Sequence, residues 1–290
     1  MRSPFIHLGN HRGNHWGNRV GSYLALTVLA LVTFSACAAA QIDTPGGASL
    51  KLNNDPGGPA PRHELDGTWV GPTDRQPIAE APQFTPLGQE RFKLNKPEAT
   101  FTVAHTNDPV VRMCDPQGFP RNMLFEMRGV PVGEMLRMTF ASLPGRMIVL
   151  TEWQQVWRQI WTDGRALPTN VGGRQKDAPD PRYFGYSVGH WQADNVFVVD
   201  SVGLADGPWL SKAGYPHTAE THIQERYTRS DHNDLQLTIT VDDPKLYVKP
   251  FVLSTNNFKW LPDQSLDLNE QLCIPSQVME YLRVIGDQAQ

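Results

Sequence analysis

The chain has 290 residues, 40% of them hydrophobic and 19% charged, with a formal charge of −4, three cysteines and 24 each of glycine and proline. That length suffices for one large domain, or two small ones, with a real core. The mild acidity argues against non-specific nucleic-acid binding, which needs a basic face.

Arg2, Arg12 and Arg19 are the only formal charges before Asp43, and they precede an apolar run from Tyr23 to Ala36. A basic stretch, an apolar stretch and small residues after it describe a secretory signal peptide over residues 1–40. The run is short for a membrane span, which needs roughly 20 apolar residues. Two cleavage sites compete. Ala38-Ala39-Ala40 before Gln41 suits ordinary signal peptidase, whereas Phe34-Ser35-Ala36-Cys37 resembles a bacterial lipobox and would leave Cys37 lipidated. The chain is therefore expected to be exported, either periplasmic or anchored to the bacterial envelope through Cys37. Taking three arginines from 26 basic residues leaves 23 against 30 acidic ones, a charge of −7. Cys114 and Cys273 then remain in the domain. In an exported protein such a pair either forms a disulfide or stays as two buried thiols. A bridge closing most of the domain would constrain the unfolded chain by about 4–5 kcal/mol.

Residues 41–64, rich in Gly, Pro and Asn through Arg62, read as a flexible linker, and 65–290 as a single domain. The domain's pattern is β. Segments 135–142 and 147–152 flank Pro144-Gly145, which suits the centre of a type II turn. Segments 185–191 and 196–202 flank Gln192 to Asn195, and 221–229 and 235–241 flank Ser230 to Asp234. In the last strand Leu235, Leu237, Ile239 and Val241 alternate with Gln236, Thr238 and Thr240, so one face is buried and the other wet. Shorter candidates lie at 67–71, 99–105, 123–128 and 250–261. One helix is expected at 276–286, with Ser276 as its N-cap after Pro275. Trp153, Trp157 and Trp161 recur every fourth residue, a spacing open to helix or strand. The turn signals on both sides and the β-branched and aromatic content favour a strand. Trp153, Gln155, Trp157, Gln159 and Trp161 would then share one face and Arg158 the other. Roughly ten strands joined by hairpins predict an antiparallel barrel or sandwich.

The sequence holds no G-x-S-x-G, H-E-x-x-H, P-loop, G-x-G-x-x-G or C-x-x-C, which disfavours classical serine hydrolases, zincins and nucleotide enzymes. Its densest polar cluster runs from Pro216 to Tyr227. Glu225 shares a strand face with Ile223 and Tyr227, while His222, Gln224 and Arg226 share the other. His, Glu and Arg together suit general acid–base work, with Arg holding an anion. The plainer reading has Glu225 and Arg226 in ion pairs and His217 bonded to a loop backbone. His217, Glu220 and His222 match no standard zinc spacing, so no metal is expected. Arg158, turned inward, needs a partner or an anionic ligand. Tyr183 to Trp191 and the tryptophans offer apolar surface with polar tips, suited to an aromatic or lipid-like ligand or simply to core packing. Trp209, in the irregular segment 203–218, would be a lid anchor or a plug.

Several stretches together resemble a family of exported bacterial proteins without a settled activity. They are Asp66-Gly67-Thr68-Trp69, Cys114 to Arg121 (CDPQGFPR), Arg158 to Arg165 (RQIWTDGR), Gly185 to Gly189 (GYSVG), Pro216-His217-Thr218, Glu225-Arg226-Tyr227 and Asp242-Asp243-Pro244. The resemblance covers most of 65–275 and implies kinship and export. The family usually has Arg-Trp where this chain has His190-Trp191, and often Gly-Asp where it has Ala193-Asp194. Gly67-Thr68-Trp69 also resembles the G-x-W of lipocalin-like barrels, in which the Trp closes one barrel end.

The expectation is thus an all-β antiparallel meander barrel, lipocalin-like, with long loops and a short C-terminal helix. Its first functional reading is a cavity for a small apolar or aromatic molecule, walled by Trp157, Trp161, Tyr186, Trp191 and Trp209 and oriented by Arg158 or Arg226. The second is a cofactor-independent lyase, isomerase or hydrolase, in which His217 or Glu225 moves a proton and Arg226 or Arg158 stabilises an anion. The third is a structural envelope protein with a filled barrel.

Overall fold

The described residues form nine strands, several of them with alternating buried and more exposed side chains. The computed structural model describes residues 57–76, 80–97, 103–124, 136–264, 268 and 272–286, all within the compact unit Thr44–Gln290. The signal peptide, Cys37, most of the linker and much of the candidate strands at 99–105 and 123–128 lie outside the described residues. The strands are β1 (Gly67–Gln76), β2 (Leu136–Leu143), β3 (Arg146–Thr151), β4 (Val156–Trp161), β5 (Tyr186–Ala193), β6 (Val196–Val202), β7 (His222–Arg229), β8 (Asp234–Asp242) and β9 (Phe251–Trp260). They close into one barrel in chain order, with β9 returning to pair with β1. The hairpins fall where the turn residues placed them, and Gly145 takes φ +72° between β2 and β3.

The barrel is mixed, which corrects the purely antiparallel expectation. Strands that alternate up and down close without a parallel neighbour only when their number is even. Nine strands force one parallel pair, and it is β4–β5. Segment 162–185 carries the chain from the end of β4 back to the start of β5, the crossover that parallel strands need. This seam is short, with only Ile160↔Ser187 and Trp161↔Val188 in register, whereas β3 and β4 pair along six positions. Strand β4 also begins later than expected. Gln154 and Gln155 adopt positive φ and turn the chain between β3 and β4, so Trp153 lies outside the strand.

The two barrel ends differ. Tight turns at 144–145, 194–195 and 230–233 mark one end. The connections 203–221 and 243–250, and the segment that holds helices α1 (Pro86–Leu94) and α2 (Pro109–Met113), mark the other. The interior is filled toward the tight-turn end by Trp69, Phe140, Phe197, Tyr227 and Phe258, all fully buried. Trp69 donates its indole N–H to Leu65 O (2.9 Å), and the Arg229 guanidinium lies over Trp69 (4.9 Å) and Trp260 (5.2 Å). Gly67 is required there, since it takes φ +106° and a Cβ would collide with the Trp260 ring. The linker's last residues dock on this end, with His63 N–H donating to Asp194 O (2.7 Å) and His232 N–H to Gly58 O (3.0 Å).

Helix α1 went unread in the sequence because it carries no apolar stripe; Gly88 is its buried residue. It is started by Thr85, whose hydroxyl accepts from Gly88 N–H (3.1 Å), and by Pro86 at its first position. The C-terminal helix α3 (Pro275–Ile285) forms as expected, but its N-cap is Ile274 rather than Ser276, because Pro275 already occupies the first turn. Cys114, at the end of α2, is bonded to Cys273, just before α3, with Cα atoms 5.4 Å apart.

Candidate functional site

Strand β4 places Arg158 and Ile160 inward and Trp157, Gln159 and Trp161 outward, as alternation demands. Arg158 is buried. Its guanidinium donates both terminal nitrogens to the Glu225 carboxylate, one of them to Oε1 at 3.0 Å, and its Nε to Ser187 Oγ at 3.2 Å. Ser187 in turn shares a hydrogen bond with Ser201 (2.8 Å). Tyr227 donates its hydroxyl to Glu225 Oε1 (2.7 Å), and the Phe119 ring lies under the guanidinium at 3.9 Å. Four of the sequence motifs therefore converge on one interior cluster: RQIWTDGR through Arg158, GYSVG through Ser187, Glu225 and Tyr227 from one strand, and CDPQGFPR through Phe119. Only the mutual position of Glu225 and Tyr227 was readable beforehand, from their shared face.

The electrostatics bind this cluster tightly. Burial alone would pull the Arg158 pKa down, but the Glu225 charge and its hydrogen bonds more than offset that, and the net direction is up. Burial first, and then the neighbouring Glu225 charge, pushes the Tyr227 phenol far above its ordinary range. Glu225 thus accepts three hydrogen bonds and faces a fixed cation. Both of its oxygens are therefore committed to Arg158 and Tyr227.

The outer side of the same strand faces a cleft of about 510 Å³ at the β4–β5 seam. Its lining includes Trp157, Trp161, Tyr183, Phe184 and Tyr186, with Arg158 and Ser187 reached through the seam and Arg182 at the side. Trp157 is 64% exposed and Tyr183 40%, so aromatic surface is left in water here. Other aromatic rings of the cleft are clamped by cations. Arg165 lies 3.4 Å over Trp161 while pairing with Asp163, and Arg182 lies 4.2 Å over Tyr186. Tyr186 fixes its hydroxyl on Asp180 O (2.8 Å).

The remaining expected site residues lie elsewhere. His217 is buried in the β6–β7 connection, where its Nδ1 is 3.4 Å from Thr218 O. Burial holds its pKa below the ordinary histidine value. With Arg91, Asp206 and Trp209 it lines a separate cleft of about 270 Å³. Trp209 is buried there. His217 and Glu225 have separate partners, and no hydrogen bond or ion pair joins them among the described residues. Arg226 points outward on β7 and donates to Gln192. Trp191 packs on Phe197 and His63, with ring centroids 5.1 Å away in both cases.

Two of the motifs prove to be one structural knot. Buried Asp243 accepts from the Thr218 N–H (2.9 Å) and hydroxyl (3.0 Å), and Tyr247 donates to Pro216 O (2.7 Å). Arg182, which no sequence pattern had marked, is anchored through its backbone. It donates its N–H to Gly203 O (3.0 Å) and accepts from Gly185 (3.0 Å) and Ala205 (2.9 Å).

Compared with known proteins, the chain matches no family model, and no curated protein matches it.

Proposed function

We propose that this protein is an exported β-barrel that binds a small aromatic or apolar molecule in the cleft beside the β4–β5 seam. The observation that carries this reading is the cleft itself. Its volume lies in the range of small-molecule sites, and it gathers five aromatic side chains with few polar groups beside the shortest strand pairing of the barrel. Partly exposed rings such as Trp157 and Tyr183 lose water contact favourably when a flat apolar ligand covers them. The site is thus lateral, rather than a chamber along the barrel axis, and Trp191 and Trp209 are not part of its wall. Glu225, committed to Arg158 and Tyr227, favours binding over acid–base catalysis.

Export is supported by the basic, apolar and small-residue order of the first forty residues, and by a cysteine pair bonded as in oxidising compartments. A lipid on Cys37 would tether the barrel to the envelope. Kinship with lipocalins draws support from Gly67-Thr68-Trp69 opening the first strand, with Trp69 buried near the tight-turn end.

Thermal-shift titration with aromatic and with aliphatic lipid-like compounds tests the reading. Aromatic compounds should raise the melting temperature of the wild type, and Trp157→Ala should remove most of that shift. A shift that survives Trp157→Ala undiminished would place the ligand elsewhere.

A further inference from the structure

The charge at the cleft narrows the class of ligand. Arg158 is neutralised by Glu225 and Arg165 by Asp163, but the Arg182 guanidinium has no carboxylate partner among the described residues. No Asp or Glu lines the cleft. Arg182 is also pre-positioned. Three backbone hydrogen bonds and a β-bridge to Leu204 hold its main chain, and its side chain rests on the Tyr186 ring at 4.2 Å. A guanidinium stacked on one ring keeps its edge N–H groups free for a planar oxyanion.

We infer that the cleft's ligand is a planar aromatic anion, an aromatic carboxylate, with its ring against Trp157 and Tyr183 and its charge on Arg182. This rests on the proposal that the cleft binds aromatic molecules, and it adds the sign of the ligand's charge and the residue that reads it. The buried Arg158 lies at the cleft floor, but Glu225 neutralises it and occupies its terminal donors, so recognition of the anion falls to Arg182.

Calorimetric titration of the purified protein with 2-naphthoate and its neutral isostere 2-naphthamide tests the inference. Naphthoate should bind about tenfold more tightly, the worth of one charge-assisted hydrogen-bonded pair near a protein surface. Arg182→Gln should bring naphthoate down to the naphthamide affinity and leave naphthamide unchanged. Arg182→Lys should keep part of the preference. Equal affinities in the wild type, or a preference that survives Arg182→Gln, would overturn the inference while leaving the aromatic cleft standing. Failure of both compounds to bind would overturn the cleft reading and this one with it.

Discussion

Arg158 on β4 and Glu225 on β7 meet inside the barrel although two strands, β5 and β6, stand between them in the sheet. Their ion pair reaches over the inner face of those two strands, where Ser187 and Ser201 lie beneath it in the same hydrogen-bonded chain. It ties the strand on one side of the weak seam to a strand beyond β5 and β6 on the other side.

Removing one partner should therefore cost far more than removing both. Glu225→Ala strands a buried guanidinium and is expected to destabilise the protein by about 3–5 kcal/mol. The double change Arg158→Met with Glu225→Leu should recover most of that, because the apolar pair needs no desolvation. Urea unfolding of the three variants reads the difference. Additive losses in the double variant would mean that the pair does not act as a unit.

Two histidines should give opposite pH dependences. His222 lies 3.0 Å from Asp200, and that hydrogen bond raises the His222 pKa and lowers the Asp200 pKa. The His222 contribution is complete below about pH 6.5, the unfolded value, and fades as pH rises through the folded value. Burial lowers the His217 pKa, so the unfolded chain takes up a proton before the folded one does. Stability is then lost as pH falls below about 6.5 toward the folded value. Melting curves between about pH 5 and pH 8 should show His222→Gln flattening the alkaline limb and His217→Gln the acid limb. An unchanged acid limb in His217→Gln would remove burial of that ring as its cause.

The Cys114–Cys273 bridge spans 159 residues of sequence. Chain entropy assigns a closed loop of that length about 5 kcal/mol, as an upper figure. Cys114→Ser with Cys273→Ser should lower the urea midpoint, and limited proteolysis should then cut near α3 before it cuts the barrel. First cuts within the barrel hairpins would show that the bridge supports the strands rather than the helical segment.

Asn256 is fully buried on β9, and neither its amide nitrogen nor its amide oxygen has a hydrogen-bond partner among the described residues. An unsatisfied buried polar group costs about 1–3 kcal/mol. Asn256→Leu keeps the branched heavy-atom shape and removes that cost, so the unfolding midpoint should rise wherever the site accepts the larger methyl groups. A clear fall would show that the amide is engaged in solution.

Strand positions and their faces were readable because both are local properties. In β8 and β7 every second residue is buried, and the hairpin turns carry Gly, Asn, Asp or Pro. The disulfide was readable as one of two fates of a cysteine pair in an exported chain. Helix α1 was not, because its stability comes from Thr85 and from docking of Gly88 against Leu246 rather than from periodicity. The seam was not either. Its existence follows from an odd strand count, and the count depends on where Gln154 and Gln155 turn the chain.

Alternation along the chain set Arg158 on the face opposite Trp157 and Trp161, and Glu225 on the face of Ile223 and Tyr227, before any fold was known. That they meet each other, 67 residues apart, while His217 keeps to a loop cleft, was decided by barrel closure. A strand's pattern records which side of the sheet a residue occupies. It carries no record of which residue comes to lie across the interior, because strand number, register and the path of segment 162–185 act over the whole chain. The aromatic cleft belongs to that second kind of information. Its tryptophans and tyrosines lie on separate stretches of sequence, and only the parallel meeting of β4 and β5 brings them to one side.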